Sequence, residues 1–98
     1  MIRLNEKQEK ERVKNMVSES FKVSFEEGLH MRPAGRLAAE MSRFESRITI
    51  VYGDTRTDAK SILSIMAAGI KCGSVITVEC DGADEQAALA AAAGLFCS

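Results

Sequence analysis

The apolar patterning of the chain predicts an α/β domain of the α+β kind, in the order βαββαβα, with three helices on one face of a four-stranded, mostly antiparallel sheet. Two observations carry this. Period-2 stretches, the mark of half-buried strands, alternate with stretches whose apolar residues recur every three or four positions, the mark of a helix with one buried stripe. At Gly53-Asp54 a tight turn joins two consecutive strand stretches. Parallel neighbours need a long crossover, so that hairpin excludes a purely parallel sheet.

Taken in order, residues 1–19 differ from the rest. Glu6-Lys7-Gln8-Glu9-Lys10-Glu11-Arg12 is a mixed-charge run, and only Val13, Met16 and Val17 offer a short apolar edge. Such a run can hold i, i+4 ion pairs as a solvated helix but cannot bury a face. Residues 1–19 are therefore expected to be an extension, either a frayed arm or a helix docked on the domain or a partner, and 20–98 the domain. The first strand is placed at Phe21–Phe25, where Phe21, Val23 and Phe25 alternate with Lys22 and Ser24. The first helix is placed at Pro33–Phe44, where Ala34, Leu37, Ala38 and Met41 follow i, i+3, i+4, i+7. Strands at Arg47–Tyr52 and Thr55–Thr57 flank the hairpin, whose Gly-X pair suits a type II′ turn. A second helix is placed at Ile62–Ala68 and ends at Gly69, followed by a strand at Val75–Cys80. Asp81-Gly82 turns the chain, Asp84 can cap, and Glu85 favours the first turn of an alanine-rich last helix reaching Phe96.

Between the first strand and the first helix lie Gly28-Leu29-His30-Met31-Arg32-Pro33, which hold the only histidine and the only proline of the chain. Pro33 suits a first helical turn, where its missing N–H costs nothing and its φ is already helical. His30 thus falls at a helix N-terminus, where unpaired amides and the helix dipole favour an anion and disfavour an imidazolium. A ring nitrogen left free there can act as a nucleophile. A phosphoryl group accepted on it would lie against the free amides, with Arg32 two residues away to share its charge. The plain alternative is a histidine that only caps or packs.

Thirteen Lys and Arg against fourteen Asp and Glu leave a formal charge of −1, so there is no basic footprint for nucleic acid. No apolar run approaches the ~20 residues of a membrane span. Residues 1–19 lack the apolar region of a signal peptide. A cytoplasmic protein without membrane insertion is expected. Cys72, Cys80 and Cys97 form no Cys-x-x-Cys pair. With one histidine they complete no usual zinc set, and three reduced thiols are expected.

The second helix is apolar nearly all round, through Ile62, Leu63, Ile65, Met66, Ala67 and Ala68. A helix this short on a small domain buries one side, so an outward apolar surface at Ile62, Leu63 and Met66 reads as a partner site. The alternative is a deeply wedged helix with Met66 in the core. Ser61 stands where a serine caps that helix.

Gly28-Leu29-His30-Met31-Arg32-Pro33-Ala34 resembles the active-site motif of the histidine-containing phosphocarrier family HPr of the phosphoenolpyruvate:sugar phosphotransferase system. Asp58-Ala59-Lys60-Ser61-Ile62 through Ala68-Gly69-Ile70 resembles its second signature, at the family's separation, and the similarity covers roughly Ser20 to Phe96. The resemblance implies an open-faced β-sandwich and a phosphocarrier that is not a stand-alone enzyme and needs no cofactor or metal. His30 would accept a phosphoryl group from phosphorylated enzyme I and pass it to sugar-specific enzyme II A domains. Arg32 would neutralise charge, and Met31, Pro33 and Ala34 would position the phosphate. Partners would dock around Ile62, Leu63 and Met66, and Ser61 would be phosphorylated by an HPr kinase, a modification read by transcriptional regulators. A monomer is expected. A regulatory relative acting mainly through Ser61, and a carrier of a nitrogen-related branch, stay open as alternatives. In the resembling family Gly35 is commonly alanine, and a glycine inside the first helix costs up to ~1 kcal/mol.

Overall fold

Side chains of a strand alternate between the two faces of its sheet. Phe21, Ile48, Ile50, Ile76, Val78 and Cys80 therefore point to one side, where all six are buried. The computed structural model describes residues 16–96. It contains β1 (Val17–Lys22), α1 (Met31–Met41), β2 (Arg47–Tyr52), β3 (Thr55–Asp58), α2 (Ile62–Ala67), β4 (Val75–Asp81) and α3 (Glu85–Phe96). The four strands form one sheet in the order β1-β4-β2-β3, and every pairing is antiparallel. The expected βαββαβα order and open-faced α+β sandwich are present, with a sheet that is wholly antiparallel.

The helices supply the other half of the core. Ala34, Leu37, Ala38 and Met41 are the buried stripe of α1, and Ala88, Ala92 and Phe96 are buried on α3. The small residues of α3 suit close approach to the sheet, and Phe96 stacks on Phe21 with ring centroids 5.4 Å apart. The opposite face of the sheet is mostly polar, with Val75 exposed at one end. Ser20 and Thr77 share a hydroxyl hydrogen bond of 2.9 Å across β1 and β4, and Arg56 pairs with Glu79 across the sheet. Burial pushes the Cys80 thiol up to about 11, while Cys72 is exposed. No helix among the described residues is long and apolar enough to cross a membrane.

Several boundaries differ from expectation for identifiable reasons. β1 runs from Val17 to Lys22 rather than Phe21–Phe25, because its length follows backbone pairing, Val17 with Cys80 through Lys22 with Val75. Val17, Ser18 and Glu19 thus belong to the sheet and not to the extension; residues 1–15, on which the rest of that expectation falls, lie outside the described residues. Val23 is buried beyond the strand, fastened by its amide to the Ser74 carbonyl and by its carbonyl to the Gly73 amide, each at 2.8 Å. α1 starts two residues earlier and ends at Met41, where the Ser42 hydroxyl donates to the Ala38 carbonyl at 2.7 Å.

Asp84 was expected to cap α3. Its carboxylate instead accepts the Glu45 and Ser46 amides, each at 2.9 Å, and the Ser46 hydroxyl. The bond from the Ser46 hydroxyl, followed by that from the Glu45 amide, holds the Asp84 carboxyl below its ordinary range. The link ties the α1–β2 connection to the start of α3. Gly35 has open space where a side chain would stand, so nothing in the packing demands a glycine there.

Candidate functional site

The chain leaving β1 is held at several points before α1 begins. Phe25 packs on Phe96 with centroids 5.9 Å apart, and the Gly28 amide closes a turn onto the Phe25 carbonyl at 2.9 Å. Leu29 is buried, and its amide donates to the Ile70 carbonyl at 3.0 Å. His30 follows as the N-cap of α1, in extended backbone (φ −81°, ψ −173°), with an exposed ring that makes no capping hydrogen bond. The expected histidine at a helix N-terminus is therefore present and solvent-facing.

The amides available beside His30 can be counted. Helical bonding gives no carbonyl to the first amides of a helix. Those of Met31 and Arg32 are unspent, and Pro33 has none. The Ala34 amide donates to the His30 carbonyl at 2.8 Å, and Ala34 is wholly buried. The Ala34 amide is thus spent on closing the first turn, and Ala34 bears on the site through the shape of that turn. Met31 is 66% exposed, and Arg32 is exposed with no hydrogen bond or ion pair among the described residues. An anion at His30 would meet two backbone donors, the positive end of the helix dipole and an unpaired guanidinium.

An open depression at this end is lined by Phe25, Glu26, Glu27, Gly28, His30, Met31, Arg32, Pro33 and Arg36. The sequence yields Arg32 as a partner for His30 but passes over Glu26, Glu27 and Arg36. Their signal is spacing: Arg36 follows Arg32 by one helical turn, and the two glutamates sit in the loop that delivers His30. With both carboxylates and both guanidiniums charged, the side chains around His30 balance, and a phosphoryl group would tip the depression negative.

Beside it, α2 packs along α1. Ser61 is its N-cap, with the hydroxyl accepting the Ser64 amide at 3.2 Å. Leu63 is 81% exposed and Ile62 42%, while Ile65 is fully buried. Met66 is partly buried and packs against the core beside them.

Fold and site together define a small open-faced module that presents one histidine at an exposed helix end. The sequence matches the family model PTS-HPr, the PTS HPr component phosphorylation site, over residues 17–98. It is 47% identical over 64 residues to the phosphocarrier protein HPr of Mycoplasma capricolum, covering 65% of this chain and 72% of that protein. With HPr of Treponema pallidum it shares 41% identity over 81 residues, covering 83% and 92%. The structure of HPr from Bacillus anthracis superposes with a TM-score of 0.79 at 38% identity, covering 83% of this chain and 96% of that one. The chain belongs to the HPr family, the phosphocarrier proteins of the phosphotransferase system.

Proposed function

We propose that His30 accepts a phosphoryl group from phosphorylated enzyme I and passes it to the enzyme II A domain of a sugar transporter. One observation carries the reading: an exposed imidazole, free of capping duty, stands at a helix end where two amides and Arg32 are unspent. In the transfer, the donor's bond to phosphorus breaks as a bond forms from a His30 ring nitrogen, and the return step reverses the roles. Positioning and charge neutralisation suffice for such a transfer. The amides of Met31 and Arg32 take the phosphoryl oxygens, the Arg32 guanidinium shares their charge, and Pro33 sets the first turn.

In this reading the exposed Ile62 and Leu63 meet the partner proteins, and Ser61 is the regulatory site, modified by an HPr kinase and read by transcriptional regulators. The protein works as a cytoplasmic monomer, and residues 1–15 are not needed for transfer. The test is incubation with phosphoenolpyruvate and enzyme I, followed by intact mass and peptide mapping. A single acid-labile, base-stable phosphoryl group on His30 is expected, lost in His30→Ala. Normal acceptance by His30→Ala would end the assignment.

A further inference from the structure

His30 has no side-chain bond to hold it as the cap, so its place depends on the backbone that delivers it. That backbone is pressed against the segment leaving α2. Gly28 has φ +75°, a conformation that residues with side chains rarely adopt. A Cβ built there would stand 2.4 Å from the Ile70 carbonyl oxygen and 2.9 Å from the Lys71 Cα, both backbone atoms of the facing segment. The same Ile70 carbonyl accepts the Leu29 amide at 3.0 Å. Ile70 and Leu29 are themselves buried, so neither strand of this contact can swing aside freely.

We propose that the contact of Gly28 and the Leu29 amide with the Ile70 carbonyl is a positioning device for His30, with Gly28 as a positioning residue of phosphoryl transfer. This rests on His30 being the acceptor. One backbone carbonyl, three residues beyond the end of α2, sets how far the histidine loop stands from α2. The acceptor ring and the exposed Ile62 and Leu63 are thereby held in one frame, and a partner touching both meets them at a fixed spacing. A side chain at position 28 pushes the loop off this seat while the sheet, the α1 stripe and α3 keep their packing. Misplacement of a reacting group by about 1 Å costs on the order of 100-fold in rate.

The experiment compares Gly28→Ala with Gly53→Ala in the full chain. Gly53 has φ +61° in the β2–β3 hairpin and open space around a Cβ, so it carries the backbone penalty without the clash. Phosphorylation by enzyme I is followed by intact mass, giving kcat and KM, together with thermal melting and hydrogen exchange of the Leu29 amide. Gly28→Ala is expected to reach full phosphorylation of His30 with kcat lowered roughly 10–100-fold, KM little changed, and the Leu29 amide exposed to exchange. Gly53→Ala is expected to lose stability and keep its rate. A Gly28→Ala rate within twofold of the parent, or equal slowing in both variants, would overturn the proposal. If Gly28→Ala does not fold, an ester in place of the Leu29 amide removes the donor to Ile70 without adding bulk. The same loss of kcat supports the proposal and an unchanged rate refutes it. Failure of the parent chain itself to accept a phosphoryl group would count against the assignment of His30 instead.

Discussion

Ser61 offers a perturbation in which folding and docking separate. Its hydroxyl accepts the Ser64 amide at 3.2 Å, and the capped helix has only six residues. Ser61→Ala removes that acceptor at a cost of ~1 kcal/mol, which for a domain of this size lowers the melting temperature by about 4–8 °C. Ser61→Asp keeps an acceptor and puts a negative charge at the positive end of the helix, worth roughly 0.3–1 kcal/mol in favour of the fold. Its melting temperature is expected to stay close to that of the parent. Docking responds in the opposite sense. Ile62 and Leu63, 42% and 81% exposed, follow Ser61 directly, so a partner covering them must strip water from the new carboxylate. A tenfold loss needs only about 1.4 kcal/mol, less than desolvating one unpaired charge. Ser61→Asp is therefore expected to slow phosphorylation of His30 at least tenfold by roughly that energy, while Ser61→Ala keeps its rate. Intact mass against time, with enzyme I limiting, reads the rate, and calorimetry reads the stability. Ser61→Asp accepting phosphoryl groups as fast as the parent, or failing to fold, would refute the reasoning.

Two further outcomes follow from the geometry. Arg32→Ala removes an exposed guanidinium that makes no hydrogen bond or ion pair among the described residues. Phosphoryl transfer is expected to slow roughly tenfold or more while the melting curve stays in place, the charge-assisted bond to the anion being worth about 1.5–3 kcal/mol; a lowered melting temperature would show Arg32 to be structural. Asp84 titrates below its ordinary range because it accepts from Ser46 and Glu45. The unfolded chain therefore binds the proton more readily, and the stability from this group is present above the ordinary value of 3.8 and lost as pH falls through the lower, folded value. Asp84→Asn is expected to be less stable at neutral pH and to show a flatter decline in acid. Parallel acid profiles of the two proteins would remove Asp84 from that decline.

The parts of the fold visible in the sequence are those in which burial imposes a period. Ala34, Leu37, Ala38 and Met41 mark α1 because one stripe faces the sheet, and Ile48 and Ile50 mark β2 because one face does. The first part of β1 escaped because most of it faces water. Ser18, Glu19 and Ser20 are exposed, and what makes them a strand is pairing with Glu79, Val78 and Thr77, some sixty residues away. At the site, His30 and Arg32 were legible from Pro33 and the start of the helical stripe. The loss of the Ala34 amide to the first turn is a hydrogen-bond fact that no residue type declares. Likewise Gly28 is visible in the sequence, but the Ile70 carbonyl that requires a glycine there is not.

β4 lies between β1 and β2, and it is the last strand in the chain. Until Val75–Asp81 has been synthesised, the first strand has no neighbour and the β2–β3 hairpin has only itself. A two-stranded hairpin alone is marginal in water. Growing from its N-terminus at roughly 5–20 residues per second, the chain thus spends several seconds with Phe21, Ile48 and Ile50 made but without the strand that joins them. Closure of the long connection between β1 and β4 then completes the sheet in one late event, whose slow step is the loss of chain freedom. Birth order, as much as packing, thus bears on this domain: a chain cut short before β4 is expected to lack both pairings that join β1 to the β2–β3 hairpin.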